Sequence, residues 1–180
     1  SSAASDVYKR QEQGIGTTFV ITIPFKINED VARDEEKQEE VTASIRGLNI
    51  LLVEDNELNM EIAEFVIQSE GASVVKAWNG QEAVEAFEKS ASGEFDVILM
   101  DVMMPVMNGY EATKTIRSMD RSDAKKIPII AMTANAFVED RIKSKEAGMN
   151  EHVSKPIDMK LLVKIIAELA GKNKNREDKG

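Results

Sequence analysis

Five short apolar runs, each followed by a stretch with helical spacing, constrain this chain more than any other feature. The runs are Ile50-Leu51-Leu52-Val53, Ser73-Val74-Val75, Val97-Ile98-Leu99-Met100, Ile127-Pro128-Ile129-Ile130-Ala131 and His152-Val153. Between and after them apolar residues recur at three- and four-residue intervals, as one face of a helix requires. One such segment carries Leu58, Ile62, Phe65 and Val66, and others cover 80–89 and 108–119. The segment 135–147 is less clearly patterned, and the last sets Leu161, Leu162, Ile165, Ile166 and Leu169 on one face. Apolar runs alternating with amphipathic helices make an α/β chain, a parallel sheet covered on both faces. Right-handed crossovers leave it few topologies. No internal repeat is present.

Composition narrows what such a sheet can do. The chain has 180 residues, 42% hydrophobic and 31% charged, which excludes collagen-like, low-complexity and wholly disordered chains. A net charge of −9 argues against nucleic-acid binding by the surface as a whole. Cysteine is absent, which removes disulfides, thiolate metal sites and a cysteine nucleophile. The one histidine, His152, excludes a His-rich metal site and leaves little room for a Ser/His/Asp triad. No apolar run is long enough to span a bilayer and no signal-peptide pattern is present, so no membrane contact is expected.

An open parallel sheet gathers its functional groups at the carboxyl ends of its strands. Glu54-Asp55 follow the first run, Asp101 the third, Thr133-Ala134 the fourth and Lys155-Pro156 the fifth. Singly, each has an ordinary use: acids in a solvated loop, aspartate and threonine as caps, lysine on the surface. Jointly they are more specific. Clustered carboxylates repel one another, and a hard divalent cation with oxygen ligands, here Mg²⁺, relieves the repulsion. Such a cation and Lys155 would form a positive cradle suited to a phosphoryl group, whose transfer needs charge neutralisation. The Thr133 hydroxyl can donate to a phosphoryl oxygen. Asp101, on the central strand, is the expected nucleophile, and an aspartyl phosphate the expected product.

Val53-Glu54-Asp55-Asn56, Asp101-Val102-Met103-Met104-Pro105-Val106-Met107-Asn108-Gly109, Met132-Thr133-Ala134 and Lys155-Pro156 give residues 48–171 their resemblance to a response-regulator receiver domain. The resemblance implies a flavodoxin-like (βα)5 parallel sheet of strand order 2-1-3-4-5. It implies Asp101 as phosphoacceptor, with Asp55 and Asp101 ligating Mg²⁺, Glu54 acting mainly through water, and the Met103 main-chain carbonyl completing the set. Thr133 and Lys155 would contact the phosphoryl group. Lys155-Pro156 would be a cis bond, and Gly109 would take a positive φ behind the phosphorylation loop. Where the family usually carries tyrosine or phenylalanine as a rotating switch, this chain has His152. Thr133 and His152 are thus the expected switch pair, and protonation of His152 is expected to modulate output; equal activation at about pH 6 and about pH 8 would dismiss that idea. The apolar helix residues, the methionines at 100, 103, 104 and 107, and Trp78 and Phe87 are read as packing.

Upstream, alternation at Phe19, Ile21 and Ile23 marks one stray strand, which cannot bury its own apolar face. Gly14-Ile15-Gly16-Thr17-Thr18-Phe19-Val20-Ile21-Thr22-Ile23-Pro24 resembles the end of a histidine-kinase ATPase domain. Asp6-Val7-Tyr8-Lys9-Arg10-Gln11 resembles a translated sequencing-library transposon end, so residues 1–11 are set aside as non-native. The expected organisation is then a kinase remnant at 12–26, an acidic linker at 27–46 with seven acids against three bases, a receiver domain at 47–171 and a disordered tail at 172–180. This is the order of a hybrid histidine kinase. A cytoplasmic location is expected, the parent kinase being membrane-anchored or not. The remnant holds neither a nucleotide-binding asparagine box nor a phosphoacceptor histidine. It is not expected to bind ATP, and the enzymatic standing of the segment itself is left open. Expected partners are a phosphohistidine donor domain, the kinase's own core in cis or in trans, and a histidine phosphotransfer domain downstream.

Three rivals fit less well. A stand-alone or degenerate receiver acting as a docking module has no need of the full set Asp55, Asp101, Thr133 and Lys155. A haloacid-dehalogenase-type phosphatase puts its nucleophile first in the chain with a second aspartate two residues on, whereas here the acidic pair comes first and residue 103 is methionine. A flavodoxin-like flavin binder needs a phosphate-binding first loop, which Glu54-Asp55-Asn56-Glu57 would repel.

Overall fold

Alternate residues of a strand point to opposite faces of its sheet, and that rule divides the apolar core of this chain in two. The computed structural model describes residues 6–12, 16–22, 44–134 and 138–177 and separates into two units, 1–41 and 42–180. The smaller is an antiparallel pair, β1 (Asp6–Glu12) and β2 (Gly16–Thr22), in register from Asp6 opposite Thr22 to Glu12 opposite Gly16. This departs from the stray strand expected from sequence. A ladder needs only extended backbone with free N–H and C=O groups, and the residues set aside at the amino terminus supply it. Most of the acidic linker and Asn135 fall outside the described residues.

The larger unit alternates strands and helices: β3 (Asn49–Val53), α1 (Glu57–Ser69), β4 (Ser73–Ala77), α2 (Gly80–Lys89), β5 (Val97–Asp101), α3 (Gly109–Ser118), β6 (Ile129–Thr133), α4 (Val138–Ala147), β7 (Glu151–Ser154) and α5 (Met159–Glu177). The sheet is parallel, in the order β4-β3-β5-β6-β7, which is 2-1-3-4-5 within this unit. Leu51, Val53, Ile98, Met100, Ile129 and Ala131 face one side and pack with Phe87 of α2 and Ala112 and Ile116 of α3. Ile50, Leu52, Leu99, Ile130 and Met132 face the other and pack with Met60 and Ile67 of α1 and Leu162 and Ile166 of α5. Asparagine starts each of the first three helices. The side chains of Asn56, Asn79 and Asn108 accept from backbone N–H groups of residues 59, 82 and 111, fixing each helix at the carboxyl end of the strand before it.

Several sequence expectations need correction. Helix α1 turns Met60, Ala63 and Ile67 inward and leaves Leu58, Ile62 and Phe65 64%, 50% and 74% exposed. The helix carries two apolar stripes, and small Ala63 between two long side chains lets the inward one lie close on the sheet. Trp78 is 40% exposed, while Phe87 is buried with the Arg121 guanidinium 4.4 Å from its ring centre. Ile45, assigned to the linker, is fully buried in the core. Helix α5 continues through residues 172–177, where a tail was expected, for no proline interrupts its backbone ladder. Gly109 has no positive φ. It is required for a different reason: a Cβ there would lie 2.2 Å from the Asp101 carbonyl oxygen. Among the described residues no helix is long and apolar enough to cross a membrane.

Candidate functional site

The apolar runs end where the sheet meets solvent, so the residues that end or follow them share one edge. Asp101 is the last residue of β5 and Thr133 the last of β6, while Glu54-Asp55 and Lys155 directly follow β3 and β7. Backbone bonds extend the ladder to Lys155, whose N–H donates to the Thr133 carbonyl at 2.7 Å. Lys155 Nζ lies 2.7 Å from Asp101 Oδ2 and 2.6 Å from Glu54 Oε2. Asp101 Oδ1 accepts from the Met103 N–H at 3.2 Å. Glu54, Asp101 and Thr133 are buried, Asp55 is exposed, and the Lys155 side chain is mostly covered. The Lys155–Pro156 peptide bond is cis.

One ammonium thus serves two buried carboxylates, and a third stands beside them. Oxygens of Glu54, Asp55 and Asp101 all lie within 4.8 Å of one another. Burial pushes the Asp101 carboxyl above its ordinary pKa, and the Glu54 charge adds to this; hydrogen bonding and charge from Lys155 only partly oppose it. Burial also works against the Lys155 charge, but its hydrogen bonds to Asp101 and Glu54 outweigh that and hold its pKa above the ordinary value. Three oxygen donors with one cation for three negative charges fit a hard divalent ion, as the carboxylate chemistry requires. The cluster has the acidic oxygen donors that the expectation of a bound divalent cation requires.

His152 lies in β7 opposite Ala131, two residues short of the Thr133–Ser154 pair. Its neighbour Val153 faces the α1/α5 core, so alternation turns the imidazole the other way. There it joins Val138, Arg141, Ile142 and Lys145 of α4 in lining a groove, with Nδ1 3.2 Å from Glu151 Oε1. Met103 presents its side chain to solvent, 72% exposed.

Two features were missed from sequence. Asn59, in the first turn of α1, donates from Nδ2 to Glu54 Oε1 at 3.0 Å. Its signal was positional: three residues after a capping asparagine, a side chain leans back over the strand end. Val106 takes φ 68° in a turn closed by a 2.8 Å bond from the Met107 N–H to the Pro105 carbonyl. For a β-branched residue this γ-turn is strained, by about 1–3 kcal/mol, and it sets an 83% exposed valine next to the loop of Asp101.

Known proteins resemble this chain along the same stretch. The response regulator receiver domain family matches residues 50–167. Hybrid signal transduction histidine kinase M of Dictyostelium discoideum is 43% identical over 121 residues, 67% of this chain and 5% of that protein. Across curated relatives of this kind the chain spans 5% to 20% of their length. The receiver domain of sensor histidine kinase PA1611 from Pseudomonas aeruginosa PAO1, solved with a magnesium ion coordinated in its active-site cleft, is 39% identical with a TM-score of 0.63, covering 69% of this chain and 98% of that one. A chain from the co-crystal structure of the Saccharomyces cerevisiae histidine phosphotransfer protein Ypd1 with the receiver domain of its downstream response regulator Ssk1 is 32% identical with a TM-score of 0.63, covering 69% of this chain and 90% of that one. With the sheet order, the strand-end acids and the paired lysine already in place, this match makes the chain a member of the response-regulator receiver domain family.

Proposed function

We propose that this receiver domain takes a phosphoryl group from a phosphohistidine onto Asp101. The observation that carries the reading is the Asp101 carboxylate held 2.7 Å from Lys155 within the acidic cluster of Glu54 and Asp55. A carboxylate oxygen of Asp101 forms the new P–O bond as the P–N bond of the donor breaks. The imidazole leaves with the electron pair and ends as the neutral ring after taking up a proton from solvent. Lys155 stays beside the phosphoryl oxygens and offsets the charge they bring, and the Thr133 hydroxyl donates to one of them. Asp55 and Asp101, with Glu54 through water and the Met103 carbonyl, would hold Mg²⁺, which supplies charge neutralisation to the transferring group. Thr133 and His152 would carry the change to the groove beneath α4.

The donor is a phosphohistidine domain of the parent hybrid histidine kinase, acting in cis or in trans, and the onward partner a histidine phosphotransfer domain. The curated relatives that are hybrid kinases support both, and the neighbour crystallised with Ypd1 supports the pairing of a receiver with a histidine phosphotransfer protein, although in that pair the receiver is the downstream member. Beside Lys155 a groove of about 500 Å³ runs between Ile62 of α1 and the Pro156, Ile157 and Met159 segment, and Leu58 and Phe65, exposed at helical spacing from Ile62, lie on the same face of α1. An apolar face next to a reactive carboxylate suits a helical partner that must bring one imidazole to Asp101. A cytoplasmic site of action belongs to the same proposal.

Incubation with acetyl phosphate and Mg²⁺ followed by intact mass tests the reading. The expected result is a gain of one phosphoryl group, lost on chelation of the metal and absent in Asp101→Asn. An unchanged gain in Asp101→Asn would overturn it.

A further inference from the structure

Glu54 is a buried carboxylate whose two oxygens are held from opposite sides. Oε2 accepts from Lys155 at 2.6 Å, while Oε1 accepts from Asn59 Nδ2 at 3.0 Å and from the Asn56 N–H at 3.4 Å. At 3.4 Å the backbone bond is weak, so the Asn59 carboxamide is the main anchor of Oε1. Asn59 is itself fixed, because its N–H donates to the capping side chain of Asn56 at 3.1 Å and its backbone belongs to the first turn of α1. Among the described residues its side chain makes no other hydrogen bond. It is exposed, and it stands on the wall of the groove shared by Ile62, Lys155 and Pro156.

We propose that Asn59 is a positioning residue: its carboxamide fixes the Glu54 carboxylate so that Lys155 is shared between Glu54 and Asp101 and the acidic cluster keeps the shape that binds Mg²⁺. The physical reason is a shortage of donors. Among the described residues Lys155 is the one cation bonded to either buried carboxylate. Without the Asn59 amide, Oε1 of a buried Glu54 loses its best donor, an expensive loss in a low dielectric. The carboxylate then turns to recover it, at the expense of the Lys155–Asp101 contact. Partners one bond removed from a metal site act this way, and their removal weakens metal affinity by about 10-fold or more. The inference rests on the proposed function and adds a residue to it.

Calorimetric titration of the full chain with Mg²⁺ alone tests it, alongside urea unfolding. Asn59→Ala and Asn59→Leu are expected to raise the Mg²⁺ Kd about 10-fold with urea midpoints close to wild type, and Asn59→Gln, which keeps the carboxamide, to recover much of the affinity. Phosphorylation by acetyl phosphate should slow in the same order. Affinities within about twofold of wild type in both Ala and Leu variants would overturn the inference, as would an equal loss in Gln. A wild-type chain that neither binds Mg²⁺ nor accepts a phosphoryl group would instead overturn the functional reading beneath it, and the inference with it.

Discussion

Lys155 serves two carboxylates at once, and single residues elsewhere are held with similar economy. Asp123 accepts from the Arg121 guanidinium at 2.7 and 2.9 Å and from the Gly93 N–H at 2.9 Å. The Arg121 hydrogen bond holds its carboxyl down at about 2 against the effect of burial. A carboxyl depressed in the folded state stabilises the fold at all pH values above its unfolded pKa of about 4, and that contribution is lost as pH falls through about 2. Asp123→Asn is therefore expected to cost about 1 kcal/mol at neutral pH and to flatten the loss of stability between about pH 4 and about pH 2. Urea midpoints across that range check both. An Asn variant with the same acid slope as wild type would mean that Asp123 does not couple folding to protons. At Gly109, by contrast, the constraint is purely steric, since the Asp101 carbonyl occupies the space a side chain would need.

At the scale of elements, strands were more legible than helices. A buried parallel strand announces itself by an unbroken apolar run, and its end fixes where the next polar side chain emerges. That is why Glu54, Asp55, Asp101 and Thr133 could be placed on one edge from the apolar runs, whereas β7 buries only Val153 and the place of Lys155 rested on the Lys155-Pro156 motif. A helix with two apolar stripes offers no such certainty. In α1 both the Leu58-Ile62-Phe65 set and the Met60-Ala63-Ile67 set have helical spacing, and only packing against the sheet decides between them. The same rotation aims Asn59 at Glu54, so an error in the phase of the helix hides that contact too. The pairing of β1 with β2 was illegible for a further reason, because backbone ladders carry little side-chain signature. The two stripes make a direct comparison. Ile67→Ala should cost about 3 kcal/mol by urea unfolding. Phe65→Ser should change stability by no more than about 0.5 kcal/mol yet weaken binding to a histidine phosphotransfer domain about 10-fold, measured by calorimetry. Unaltered binding would remove α1 from the docking face.

For the whole molecule, the sheet does the work that sequence distance would forbid. Glu54 and Lys155 are 101 residues apart and meet at 2.6 Å, because β3 and β7 are parallel members of one five-stranded sheet whose carboxyl ends coincide. The functional groups come from the ends of four strands, Glu54 and Asp55 from β3, Asp101 from β5, Thr133 from β6 and Lys155 from β7, so the cluster exists only in the folded domain. The central claim is that this convergence makes Asp101 the phosphoacceptor. Borohydride reduction of the chain after treatment with acetyl phosphate and Mg²⁺, followed by peptide mass mapping, tests it most directly, since reduction converts an aspartyl phosphate into homoserine at the position that carried it. Homoserine at position 101 is the predicted result. Homoserine at Asp55 or at any other aspartate, with Asp101 recovered intact, would contradict the account.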